Sequence, residues 1–350
     1  HVDPMALKAL SDITGIDVKT IPINDPETLL LFSSREPLKC HSNYLNESTG
    51  ALGIPEFGTN LGREMLKETN PKLFSDLLIL SGLSHGTGVW AGNAQELIRN
   101  GTCTLREVIG CRDDIMTYLS AHGVEPLTAF KIMEDVRKGR KVNKDYEAIM
   151  KQNNIPQYYI DSCNKIEYMF PKAHATAYVM MAIRVAWFKV HMPLEYYAVF
   201  LSVRCKQFEL ETMLKGEKAI IARLNEIKQK GFDASQKEED ISKTLTICLE
   251  MAERGYKFEN IDLYKSDATH FVVNHEDKTL IPPFVAIDGL GDAAAISVIE
   301  ARKNGKFISK EDLLERTRLS QTHVAKLEEL GALKGLAETN QMDLFSFFNI

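Results

Sequence analysis

Apolar positions recur along this chain at helical spacing, in short runs broken repeatedly by glycine and proline. Residues 4–14 and 26–33 read as short helices, each opened by Asp or Pro near its start. ALGIPEFGT (51–59) is a loop, and LGREMLKET carries it into a helix. Leu73, Leu77, Leu78 and Leu80 give the next helix its apolar face. Short helices are predicted at 93–99 and 104–108, followed by RDDIMTYLSAHG and LTAFKIMEDVRKG, each stopped by a glycine at the C-cap. The most apolar helix is predicted over 172–191. There Val179, Ile183, Ala186 and Val190 mark a core face, while His174, Tyr178 and Met181 share another. Beyond 205 a lysine- and glutamate-rich helical stretch runs to about 255. THFVVN and TLIPPFVAI, separated by the polar HEDK, read as short strands, and 287–336 returns to short helices joined by glycine turns. The fold class is mainly α with one small α+β passage.

Composition changes this picture little. At 350 residues, 44% apolar and 26% charged, the chain is globular and long enough for two or three domains. Its six cysteines are scattered without a C-x-x-C pair, which argues against a disulfide framework or a zinc site and fits a reducing cytoplasm. No apolar run reaches the roughly 18 residues of a membrane span, because Arg184 and Lys189 interrupt the longest one. No signal peptide is visible. The start HVDPM, without an initiator methionine, leads one to expect a piece of a larger protein. The net charge of −6 favours no nucleic-acid partner, so any such role needs local basic surface.

Three places offer such chemistry. YMFPKAHATAY (168–178) starts the apolar helix with Pro171, which suits a first turn. The free N–H groups of that turn and the Lys172 charge make an anion site, and Tyr168 just ahead offers a face for a flat ring. That combination suits a nucleotide, although a solvated Lys172 and an ordinary His174 fit the same pattern. VRKGRKVNK places Arg137, Lys138, Arg140, Lys141 and Lys144 in one glycine-containing turn that can meet phosphates, or be balanced by Glu134, Asp135 and Asp145. AIDGLGDAAAISVIEAR has the G-h-G of a helix-hairpin-helix turn. Gly289 and Gly291 there can hold a phosphate on backbone N–H groups, and Arg302, Lys303 and Lys306 lie nearby. SGLSHGTGVW (81–90) has no G-K-[ST] ending, so it is not a P-loop, and its Ser84–His85 pair is not a catalytic triad.

GIPEFGT, LSGLSHGTGVWAGNAQELI, VIGCRDDIM, YIDSC, YMFPKAHATAYV, NIDLYKSDAT, LIPPF and QMDLF occur here in one order. Together they resemble the C-terminal portion of the bacterial replicative DNA polymerase III alpha subunit of PolC type, over essentially the whole chain. The resemblance implies a template-directed DNA polymerase that extends a primer with dNTPs, using Mg²⁺ held by palm aspartates upstream of His1. This chain would then contain no catalytic or metal-binding residue and would be inactive alone. It implies a fingers domain over 1–205, whose first ~35 residues border the palm, and a connecting region over 206–285. A helix-hairpin-helix DNA-binding region over 286–336 and a clamp-binding tail over 337–350 complete the order. Tyr168 would face the base, Lys172 and His174 would contact the triphosphate, Tyr178 would line the pocket, and Arg112 would touch phosphate or template. Arg137, Lys138, Arg140, Lys141, Gly289 and Gly291 would meet DNA. Gln341, Leu344 and Phe345 of QMDLF would dock on the sliding clamp. Other replisome subunits are implied as partners, and no membrane. The chain departs from the family pattern at Gly88, where an acidic residue is expected, in NLGREML, and in the tail SFFNI.

Two other readings compete. One is a helix-hairpin-helix DNA-docking module without catalysis. The other is a helix-hairpin-helix glycosylase, which needs a catalytic carboxylate soon after the hairpin. Only a small charged helix pair follows the hairpin here.

Overall fold

The computed structural model describes residues 2–341. The fold is mainly α, with one three-stranded sheet among the described residues. No described helix is long and apolar enough to cross a membrane. The chain forms two compact units, one of residues 17–38 and 47–190, the other of 1–16, 39–46 and 191–350. The division between these units falls at 190/191. Residues 1–16 go with the later part because the Val2–Thr14 helix packs along Pro193–Arg204.

The 17–190 unit is all helical. Arg112–Ala121 and Pro126–Arg137 form an antiparallel pair that buries Ile115, Leu119, Ala129, Ile132 and Val136. Asp114 secures the start of the first of these by accepting the N–H groups of Gly110 and Cys111, both at 3.0 Å. Lys172–His191 has the expected bounds, and Val179, Ile183, Ala186 and Val190 are all buried as their spacing predicts. Spacing did not predict Lys189, which is fully buried on the same helix. Its ammonium donates to the carbonyls of Gly50, at 2.7 Å, and Leu52, at 2.6 Å. The helix thereby anchors the loop that runs on into GIPEFGT.

The second unit is built around the helical hairpin Glu217–Lys230 and Gln236–Glu253, the latter opened by a Ser235–Glu238 capping box. Its sheet contains β1 (Lys257–Phe258), β2 (Val272–Asn274) and β3 (Thr279–Ile281) in the order β1-β3-β2. The two predicted strands pair antiparallel in register Val273↔Leu280, and β1 joins β3 in parallel. Short helices Asp292–Arg302, Lys310–Arg316 and Gln321–Glu329 follow.

Candidate nucleotide-binding site and hairpin

Four separated sequence stretches meet at the start of Lys172–His191. Tyr168 pairs with Thr87 through an isolated antiparallel bridge, N–H to carbonyl at 3.1 Å and back at 2.9 Å. This fixes the backbone of Tyr168 while leaving the residue 50% exposed. The Arg112–Ala121 helix comes in from the side, and its Asp113 carboxylate accepts the Lys172 N–H at 3.0 Å. The first-turn N–H groups are therefore not all free, as the sequence led us to expect. A carboxylate already sits where helix polarity favours an anion. Arg112 stands next to it, half-buried, and the exposed Lys172 ammonium forms no ion pair among the described residues. Burial pushes the adjoining Cys111 thiol up to about 12, so it stays protonated.

The basic turn also comes to this place. A Cβ on Gly139 (φ 76°) would lie 2.9 Å from the Glu167 carbonyl oxygen, so the turn presses on the backbone beside Tyr168. Three of its cations are engaged locally: Arg137 with Glu134 at 2.6 Å, Lys138 with Glu134 at 3.6 Å, and Arg140 with Asp135 at 3.4 Å. Exposed Lys141 has no such partner among the described residues. Phosphates approaching this turn would meet charges already half compensated.

Two residues after Tyr168 in sequence, Phe170 belongs to a cluster of rings. Phe170 stacks on His85 at 4.6 Å, His85 on Tyr178 at 5.6 Å, and His174 lies 5.8 Å from Phe170. Sequence reasoning singled out His174 and Tyr178 but missed Phe170, Asp113 and Glu56, whose carboxylate lies 2.6 Å from His85 Nε2, and gave His85 no role. Their presence inside the quoted motifs was the only signal available.

The G-h-G turn has the expected form in part. Gly289 takes φ 80°, and Gly291 caps Asp292–Arg302. The segment before the turn is a single 3-10 turn, Phe284–Ala286, rather than an α-helix. The N–H groups of Gly289 and Gly291 have no protein acceptor among the described residues. The turn is propped from Gln321–Glu329, where Lys326 donates to the Asp288 carbonyl at 2.6 Å and His323 lies 3.0 Å from that of Gly289. Arg302 is turned inward onto the carbonyls of Leu263 and Ser266, at 3.1 and 2.6 Å, so it is not presented to DNA as the sequence suggested. Gln341 ends the described residues, and Leu344 and Phe345 lie outside them.

Known proteins match both regions. Residues 4–155 match the family described as "Bacterial DNA polymerase III alpha subunit finger domain", and residues 255–342 match "Helix-hairpin-helix motif". The chain is 55% identical over 345 residues to DNA polymerase III PolC-type of Bacillus cereus, covering 99% of this chain and 24% of that protein. The chain belongs to the PolC-type DNA polymerase III family. The Bacillus subtilis relative of that name is 52% identical over 345 residues and the Streptococcus mutans one 52% over 356, with the same coverage. The chain thus spans about a quarter of the length of the curated relatives it matches. The finger-domain match includes Arg112 and the basic turn but stops short of Tyr168, and the helix-hairpin-helix match includes Gly289 and Gly291.

Proposed function

We propose that this chain binds an incoming dNTP at the start of Lys172–His191 and grips primer-template duplex through the 288–291 hairpin, as part of a DNA-directed DNA polymerase of bacterial replication. The observation that supports the reading is the start of Lys172–His191, where Tyr168 is fixed by the Thr87 bridge and the helix carrying Arg112 reaches Lys172 through Asp113. Tyr168 and Lys172 are exposed there, and Lys172 has no ion-pair partner among the described residues. Tyr168 offers a π-face to the base, Lys172 and His174 contact phosphates, and Arg112 with Lys141 extends the positive surface toward the template. The fingers role falls on the 17–190 unit, and duplex docking on the helices after 285.

Mg²⁺ belongs to the chemistry of such a polymerase. Among the described residues no three His, Cys, Asp or Glu side chains are grouped to hold a metal ion, so no residue here is assigned to it. The work of this chain is then binding and orienting, in a cytoplasmic replisome with other subunits.

The hairpin should bind duplex without sequence preference, with affinity falling as salt rises. Replacing Gly289 and Gly291 together with valine should weaken duplex binding at low salt, because the φ of 80° at Gly289 strains any β-branched residue. A double variant that is folded by circular dichroism and binds like wild type would remove the hairpin from the interface.

Clamp docking rests on the sequence QMDLF at 341–345, with Gln341 fixing register and Leu344 and Phe345 as apolar anchors. Two such side chains are worth about 3–6 kcal/mol before association costs, so a 336–350 peptide should bind the matching clamp at micromolar strength. Calorimetry should show that heat, and its loss when Leu344 and Phe345 become alanine. Equal heats from both peptides would defeat the assignment.

A further inference from the structure

The ring cluster is braced from an unexpected side. His85 ends the Phe74–His85 helix, and its Nε2 lies 2.6 Å from a carboxylate oxygen of Glu56. Glu56 belongs to the GIPEFGT loop and takes φ 69°, a left-handed conformation uncommon for a residue other than glycine. Its side chain is only 12% exposed, and the Ser81 hydroxyl donates to the same oxygen at 3.2 Å. The loop in turn hangs from buried Lys189, through the carbonyls of Gly50 and Leu52. A chain of contacts therefore runs from the buried end of Lys172–His191, through the loop to Glu56 and His85, and back to Phe170 and Tyr178 at the start of the same helix. Strained backbone at a functional site is kept where the surroundings hold it.

We propose that Glu56, acting through His85, is a positioning residue for the nucleotide site: it holds the His85 ring against Phe170 and Tyr178 and so sets the surface from which Lys172 and His174 meet the triphosphate. The inference rests on the dNTP reading above. His85 neither forms nor breaks a bond; its part is to fix the rings behind the ligand. The groups facing it are Glu56 and Ser81 on one side, and Phe170 and Tyr178 on the other, with His174 one ring further on.

A pH dependence follows from this geometry. The hydrogen bond to Glu56 raises the His85 pKa above its ordinary value, against the lowering effect of partial burial. The charged form of the brace is therefore present below the raised pKa and is lost as pH rises through it. Glu56→Gln keeps a hydrogen-bonding group but removes the charge, so the loss moves to lower pH.

The test is the pH profile of KM for dNTP in a primer-extending polymerase that carries this chain, with Glu56→Gln and Lys172→Ala compared against wild type. Expected for Glu56→Gln is a KM several-fold higher at neutral pH, an inflection displaced to lower pH, and a smaller change in kcat. Glu56→Asp should recover part of the effect. A Glu56→Gln profile superimposed on wild type, while Lys172→Ala still raises KM, overturns the positioning role and leaves the nucleotide site standing. Failure of Lys172→Ala as well overturns the nucleotide site itself. Titration of the His85 ring by NMR in the folded wild-type chain needs no variant: a pKa above 6.5 is expected, and one at or below it overturns the proposal.

Discussion

Lys189→Ala should unfold the 17–190 unit at a markedly lower temperature than wild type. The lysine is completely buried, and its ammonium donates to the carbonyls of Gly50 and Leu52 at 2.7 and 2.6 Å. Truncation removes two charge-assisted bonds, strands buried carbonyl oxygens and leaves a void where the stem packed. Together these cost about 3–5 kcal/mol, or roughly 6–20 °C in Tm for a unit of this size. Lys189→Met should restore the packing but not the bonds, and so recover only part of the loss. A charge buried without need is often replaced by an apolar side chain at no cost. Methionine as stable as lysine would therefore show that the ammonium contributes nothing to holding the loop.

Lys172→Ala should raise KM for all four dNTPs in a polymerase carrying this chain. An exposed ammonium with no competing ion pair can give its full charge to a phosphate. Losing a charge-assisted contact of that kind costs about 1.5–3 kcal/mol, or roughly 10- to 150-fold in affinity. The effect should not depend on the base, because triphosphates are alike. Tyr168→Ala should cost about 1–3 kcal/mol through lost stacking. Unchanged dNTP kinetics in both variants would make these ordinary surface residues. Asp113 adds a condition: its carboxylate already holds the Lys172 N–H, so an arriving phosphate competes with it for the helix start.

How far the sequence could be read follows from where each signal resides. Lys172–His191 was legible to its bounds because its core face repeats at helical spacing and Pro171 marks its start. The two longer strands showed their apolar runs, whereas β1 has two residues, too few for any alternation to appear. The helix start was legible as a candidate site because Tyr168, Lys172 and His174 lie close together in sequence. Its supports were not, since Asp113 lies 59 positions from Lys172, and Glu56 lies 29 from His85. Acidic residues on loops have no period, and only tertiary folding brings them to their partners. The same limit applies to Arg302, whose charge is visible in sequence but whose direction is not. The guanidinium turns onto backbone carbonyls that sequence alone does not place there.

The most direct measurement is photo-crosslinking of an azido-purine dNTP to the polymerase carrying this chain, followed by tryptic mapping. Cleavage after Lys165, Lys172 and Arg184 isolates the peptides 166–172 and 173–184. With the base against Tyr168, label should fall on 166–172, and excess unmodified dNTP should compete it away. Competable label elsewhere in the chain, with both of these peptides clean, would contradict the nucleotide site at this helix start.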